Sequence, residues 1–179
     1  GNVIAEPAVR DTAGAIGLAA TILAKTDRKA SMAVVTADQL IEPAEVLQDA
    51  LRDAFEFVAA HPDALITFGI KPTFPSTQLG YLKSGEARPF SSCQNTVYAV
   101  EAFKEKPDAA TAEEYLASGR YFWNSGMFVW KVETILRNLT DFVPETGEPL
   151  RRIGSAWDSP SQEIVLREQF VKLPKISID

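Results

Sequence analysis

Between Tyr121 and Trp130 the chain reads YFWNSGMFVW, aromatic and apolar on both sides of Asn124-Ser125-Gly126. A run of this composition forms a buried strand, and the rest of the chain has to cover it. The polar tripeptide in its middle breaks the pattern. Asn and Gly both accept positive φ, so a turn or bulge accounts for the break, and a close approach of backbone or ligand accounts for it equally.

The residues upstream lead towards that strand. Thr96 to Phe103 alternates as TVYAVEAF, the pattern of a half-buried strand, and it runs into Glu105-Lys106-Pro107-Asp108. Pro107 cannot donate to a ladder and pushes Lys106 towards extended backbone, so the strand stops there with a carboxylate and an ammonium at its end. Thr111 to Ser118 reads as a short helix with Thr111 as N-cap, Glu113 and Glu114 in the first turn, and Gly119 as its stop.

The chain opens on Asn2 to Pro7, which reads as a short strand. Asp11 or Thr12 then caps a helix running to about Lys25, in which Gly14 and Gly17 signal close packing or close ligand approach. The loop from Glu6 to Thr12 precedes this helix, where unpaired amides suit an acceptor-rich ligand; an ordinary connection is the alternative. Ser31 to Thr36 reads as a buried parallel strand with Asp38 just past its end, where a carboxylate either caps a turn or holds a hard divalent cation. Pro43 to Ala60 is an amphipathic packing helix with its acids and Arg52 off the apolar face, and His61 after it needs no catalytic role. Ala64 to Ile70 is another buried strand, so strand, helix and strand form a crossover unit of an α/β, mostly parallel sheet. Glu86 to Asn95 reads as a loop or hairpin tip. Beyond Trp130 three helical segments follow, Val132 to Leu139, Pro144 to Trp157, and Ser159 or Ser161 to Val171.

Composition limits the partners. With 179 residues and 46% hydrophobic content the chain builds one sizeable core, and one domain spanning 1–179 is expected. A formal charge of -6 argues against a nucleic-acid polymer or an anionic membrane as partner. The one cysteine, Cys93, excludes an intrachain disulfide and fits a reducing cytoplasm. No apolar run reaches the length of a membrane helix.

Three motifs in order, EKPD, YLASG and WNSGMF, resemble the sugar-phosphate half of bacterial mannose-1-phosphate guanylyltransferases, members of the sugar-nucleotide pyrophosphorylase group. EPAVRDTAGAI resembles that family's EPAGRNTAPAI, with Asp11 for Asn and Gly14 for Pro. Thr36-Ala37-Asp38-Gln39 resembles PADH, with Gln39 for His. The stretch from Pro72 to Leu82 resembles PTxPETGYGYI, with Ser76, Gln78 and Leu79 for Glu, Gly and Tyr. The final LPKISID resembles the start of PxxSIDYAVMEK.

The resemblance implies a Rossmann-like, GT-A-like nucleotidyltransferase fold with a mixed, mostly parallel sheet flanked by helices. It implies a chain incomplete at both ends, without the family's Gly-rich triphosphate loop and a later aspartate that shares the metal. The implied reaction makes GDP-mannose and pyrophosphate from GTP and mannose 1-phosphate in the cytoplasm. In that scheme Asp38 binds Mg2+, Lys106 neutralises the sugar phosphate, and Gly80, Glu105 and Asn124 hold the sugar. Glu6, Arg10, Thr12 and Ala13 surround the base. Two other readings remain: a non-catalytic sugar-nucleotide-binding regulatory domain of the same fold, and a GT-A-type glycosyltransferase, which an Asp-x-Asp pair beside Asp38 would favour and which this sequence lacks. An open sheet edge with exposed apolar surface would favour a homo-oligomer.

Overall fold

The computed structural model describes residues 3–90 and 93–179, and these divide into two compact units. The first comprises Gly1–Met32, His61–Leu65 and Trp130–Asp179. Its elements are helical: α1 (Asp11–Thr26), α4 (Val132–Phe142), a 3-10 turn at Pro144–Thr146, α5 (Gly147–Ala156) and α6 (Gln162–Phe170). The second comprises Ala33–Ala60 and Ile66–Val129 and carries α2 (Ala44–Ala60), β2 (Ile66–Ile70), β3 (Tyr81–Arg88), β4 (Val97–Lys104) and α3 (Ala109–Ser118). Strands β1 (Ser31–Val34) and β5 (Tyr121–Lys131) each run from one set of residues into the other.

In the helical unit α1 packs on α4 and α5, and Gly17 shows why it can. A Cβ there would lie 2.9 Å from Leu150 Cδ1 and 3.3 Å from Leu139 Cδ1. Leu18, Ala20, Ile135, Ile153 and Phe170 are buried in this unit. Of the two roles open to Gly17, close helix packing is the one observed. The cap of α1 differs from expectation: Arg10 is the N-cap residue and makes no side-chain cap bond, while Asp11, at φ +61°, accepts the Thr12 amide on its own Oδ1 at 2.9 Å. The strand expected at the start is not formed over residues 3–7, Asn2 lying outside the described residues. Val3 is 91% exposed and no ladder partner holds this segment, and a strand needs one.

The five strands have the order β1-β5-β3-β4, with β2 also paired to β5. The pairings β2 with β5, β3 with β4, and β3 with β5 are all antiparallel, which corrects the mostly parallel expectation. The spacing of β1, α2 and β2 pointed to a crossover unit, and β1 and β2 both bond to β5. Strand β3 was not expected from the sequence, and its polar end through Arg88 pairs with β4 where a loop was expected from Glu86.

Two buried or capping carboxylates organise the loops of this unit. Asp53 on α2 is 5% exposed, not on a solvent face as its helix pattern suggests. Its Oδ2 accepts the amides of Gln94 at 3.0 Å and Asn95 at 2.7 Å, and Asn95 Nδ2 at 2.7 Å. Burial works against its ionisation, but these Asn95 and Gln94 donors and the Arg52 charge outweigh it and hold the carboxyl below its ordinary value. Asp108, not Thr111, caps α3: its Oδ1 accepts the Thr111 amide at 2.8 Å. Pro107 fixes the chain ahead of it, and Gly119 at φ +66° closes the helix as expected.

Candidate functional site

The interruption in β5 is a bulge with a use. Thr67 pairs with Phe128 and Gly69 with Asn124, so β2 advances two residues while β5 advances four. Gly126 takes φ +69° within this bulge. Several partners hold it: the Asn124 amide donates to the Gly80 carbonyl at 2.9 Å, Gln39 Nε2 donates to the Ser125 carbonyl at 2.6 Å, and the Thr67 hydroxyl lies 3.1 Å from Asn124 Oδ1.

Gly80, Glu105 and Asn124 therefore come together. Besides the backbone bond from Asn124 to Gly80, a Cβ on Gly80 would sit 2.9 Å from the Phe103 ring and 3.1 Å from Glu105 Oε2. Only glycine leaves that space open. Glu105 Oε1 in turn pairs with Lys106 Nζ at 3.0 Å, on side chains that are both more than half exposed. Lys106 has φ +35°, a conformation that costs an L-residue about 1–3 kcal/mol and recurs where chains bind ligands. The result is a carboxylate, an ammonium, a half-buried amide and an open backbone patch linked through Gly80, where the start of β3, the end of β4 and the β5 bulge meet, a set suited to a sugar bearing a phosphate.

Asp38 is exposed in the loop between β1 and α2, and the Gln39 bond to Ser125 ties that loop to the bulge. The imidazole of the resembling family is replaced here by an amide that anchors on a backbone carbonyl. Thr36, where the loop begins, packs its methyl near Gly126, and its Oγ1 is buried without a hydrogen-bond partner. Among the described residues no three His, Cys, Asp or Glu side chains form a metal-binding group. A single accessible carboxylate suits Mg2+, which keeps most of its waters and is held by one or two carboxylates together with substrate phosphates.

The residues matched to base recognition lie in the helical unit. Glu6, Arg10 and Thr12 line an open groove of about 480 Å³ with Pro7, Val9 and Asp11. Ala13 does not join them. It is 3% exposed, and its amide donates to the Ile176 carbonyl at 3.3 Å. The Thr12 hydroxyl accepts the Ile178 amide at 2.9 Å, and the Arg10 guanidinium donates to the Val171 carbonyl through Nε at 3.2 Å. The amides of Thr12 and Ala13 are thus satisfied within the chain, by Asp11 and by the Ile176 segment, and do not point outward as expected.

Sequence reasoning missed Thr67, Phe103 and Asp53. A threonine in a β-rich run and a phenylalanine in an alternating strand carry no signal beyond strand propensity, so their contacts to Asn124 and Gly80 were open only to the structure.

Residues 1–163 match the nucleotidyl transferase family. Curated relatives named mannose-1-phosphate guanylyltransferase are 40% identical in Klebsiella pneumoniae and 39% in Escherichia coli, each match covering 99% of this chain and 37% of the relative. The chain thus spans little more than a third of those relatives. A crystal structure from Thermus thermophilus, named a mannose-1-phosphate geranyltransferase, superposes with a TM-score of 0.83 at 33% identity, covering 98% of this chain and 48% of that one. A Helicobacter pylori protein named mannose-6-phosphate isomerase shares the fold at a TM-score of 0.72 and 24% identity. With its α/β architecture and a family match over most of its length, the chain belongs to the nucleotidyl transferase family.

Proposed function

We propose that this chain supplies the sugar-phosphate site of a guanylyltransferase that makes GDP-mannose and pyrophosphate from GTP and mannose 1-phosphate. The observation that carries the proposal is the convergence of Gly80, Glu105 and Asn124, with Lys106 paired to Glu105, around space that only glycine leaves open. The curated relatives' names supply the guanylyl group and the sugar phosphate. The Thermus thermophilus name shares the sugar phosphate but gives a geranyl group, and membership of a nucleotidyl transferase family favours the nucleotide.

In this reaction a phosphate oxygen of mannose 1-phosphate forms a bond to the α-phosphorus of GTP while the bond from that phosphorus to the bridging oxygen breaks, and pyrophosphate leaves. No protein nucleophile is needed. Glu105 and Asn124 hold sugar hydroxyls over Gly80, and Lys106 leaves its Glu105 partner for the sugar phosphate. That exchange costs little, since an exposed ion pair is worth at most about 1 kcal/mol. Asp38 is the carboxylate of this chain that would hold Mg2+, which neutralises phosphate oxygens when bound. Glu6, Arg10 and Thr12 offer the groove for the base, which Ala13 does not line. Both substrates belong to the cytoplasm, and among the described residues no helix is long and apolar enough to cross a membrane.

The test is a substrate matrix on the full-length protein. GTP and ATP are each paired with mannose 1-phosphate and glucose 1-phosphate, with Mg2+ or with EDTA, and pyrophosphate release is followed. Release with GTP, mannose 1-phosphate and Mg2+ far above the other combinations is expected. Equal or greater release with glucose 1-phosphate or ATP, or undiminished release in EDTA, would overturn the assignment.

A further inference from the structure

A hexose offers two kinds of surface, a rim of hydroxyls and faces made of C–H groups, so a site that holds one needs apolar contact as well as hydrogen bonds. The polar groups of the proposed site are those of Glu105, Lys106 and Asn124, and its apolar side has no assigned residue. Phe103 is placed to be that side. It lies one residue from the end of β4 and is 37% exposed, whereas Leu82, its partner across the ladder, is buried. Its ring reaches past that partner to Gly80: a Cβ built on Gly80 would lie 2.9 Å from both Cε2 and Cζ of the ring and 3.1 Å from Glu105 Oε2. Neighbours two residues out of register in a ladder are within reach of an aromatic side chain, which accounts for the contact. Ring edge and carboxylate therefore border one small space, and a ligand that donates to Glu105 there also meets the ring.

The other large exposed apolar residues of β4 are placed differently. Tyr98 and Val100 pair with Ala87 and Ser84, away from the Gly80 end of β3, and the Tyr98 ring lies against Phe122 with centroids 6.2 Å apart. Exposed apolar side chains along such a strand serve association with other surfaces. The approach of Phe103 to Gly80 and Glu105 sets it apart from them.

We propose that Phe103 is a substrate-binding residue, its ring packing against the C–H groups of the hexose while Glu105 accepts from a hydroxyl. The proposal rests on the sugar-phosphate site assigned above. Contact of this kind carries no charge and does not change as phosphoryl bonds form and break, so it strengthens the binding of substrate and transition state alike. It should be read in KM for the sugar phosphate and not in kcat. Leu keeps part of the apolar volume over Leu82 and removes the ring, and Ala removes both, so the comparison survives if Phe103→Ala folds poorly.

In the full-length protein, KM for mannose 1-phosphate, KM for GTP and kcat are measured for Phe103→Leu, Phe103→Ala and Glu105→Gln. Loss of apolar contact with one side of a small ligand predicts a rise in KM for mannose 1-phosphate of about three- to tenfold for Phe103→Leu and somewhat more for Phe103→Ala. KM for GTP and kcat should stay within about twofold. A transferred Overhauser effect from protein aromatic protons to the C–H protons of mannose 1-phosphate should be present with wild type and lost with Phe103→Leu, which a purely structural role would not bring about. If Glu105→Gln raises the sugar-phosphate KM while both Phe103 variants match wild type, Phe103 does not touch the sugar and the sugar site stands without it. If neither Glu105→Gln nor the Phe103 variants change that KM, the sugar-phosphate reading falls and the proposal falls with it. If both KM values rise together in the Phe103 variants, or the Overhauser effect persists in Phe103→Leu, the residue serves packing of β4 and the proposal is overturned.

Discussion

Replacing Asp53 by alanine should loosen the connection between β3 and β4 without touching Gly80, Glu105, Lys106 or Asn124. One carboxylate oxygen receives three N–H groups at 2.7, 2.7 and 3.0 Å from a side chain only 5% exposed. Hydrogen bonds to a charged group are worth about 1.5–3 kcal/mol each, but three bonds on one oxygen are not additive. Gln94 and Asn95 are themselves exposed, so their freed amides can turn to water. The lower part of the range applies, and Asp53→Ala should lose about 2–4 kcal/mol in urea unfolding at neutral pH.

The pH dependence has a fixed sign. The folded carboxyl titrates below its ordinary value, so the stabilisation is complete above the ordinary carboxylate pKa, about 3.9 for aspartate. As pH falls below that, the unfolded chain takes up its proton first, and the stabilisation is lost as pH drops through the folded value. The gap between wild type and Asp53→Ala should be constant from about pH 7 to pH 5 and should shrink below about pH 4. A second readout is Cys93, whose Sγ lies 3.4 Å from the Asp53 carbonyl. Burial first, then the charges of Asp53 and Glu56, push its thiol up. Without the Asp53 charge the thiol should alkylate faster at a given pH. A stability loss under about 0.5 kcal/mol, the size of an ordinary surface substitution, or a gap that does not change down to pH 3, would refute the reasoning.

Gly80→Ala should lower kcat/KM for mannose 1-phosphate by about 10- to 100-fold, since its Cβ displaces Phe103 and Glu105. The Phe103 ring is 37% exposed and can swing outward, so the melting temperature should fall only slightly. An unchanged kcat/KM would remove Gly80 from the site. Tyr81→Phe should destabilise the fold by about 1–3 kcal/mol, because the fully buried hydroxyl serves both the amide and the carbonyl of Ser76 at 2.9 Å. A urea midpoint equal to wild type would show that water replaces it.

What could be read from the sequence followed from local chemistry. The β5 run was legible because its apolar residues are continuous, and its interruption because Asn-Ser-Gly cannot belong to such a run without a purpose. The stop of β4 ahead of Pro107 was legible because proline cannot donate to a ladder, but Lys106 is not extended as expected and has φ +35°. Strand β3 was not, since only Tyr81 and Leu82 are buried along it and the polar residues to Arg88 carry no period. Antiparallel pairing was illegible for a different reason: short apolar strands do not encode their partners, and the β1–α2–β2 spacing suits neighbours as well as strands that share β5. Asp53 sits among the acids of an amphipathic helix, and its partners lie 41 and 42 residues away. The gathering of Gly80, Glu105 and Asn124 was reached through the family resemblance, and the physical cause, a β5 bulge bonded to Gly80, became visible only in the structure.

The measurement that bears most directly on the proposed sugar-phosphate site is the steady-state kinetics of Lys106→Met in the full-length protein. Methionine keeps much of the stem and removes the charge, at a side chain that is 59% exposed and paired only with an equally exposed Glu105 among the contacts described. If Lys106 meets the sugar phosphate, kcat/KM for mannose 1-phosphate should fall by about ten- to a thousandfold, the range for removing a cationic stabiliser of phosphoryl charge, with hardly any change in melting temperature. A folded variant whose kcat/KM stays within about twofold of wild type would contradict the account and move the phosphate to another cation.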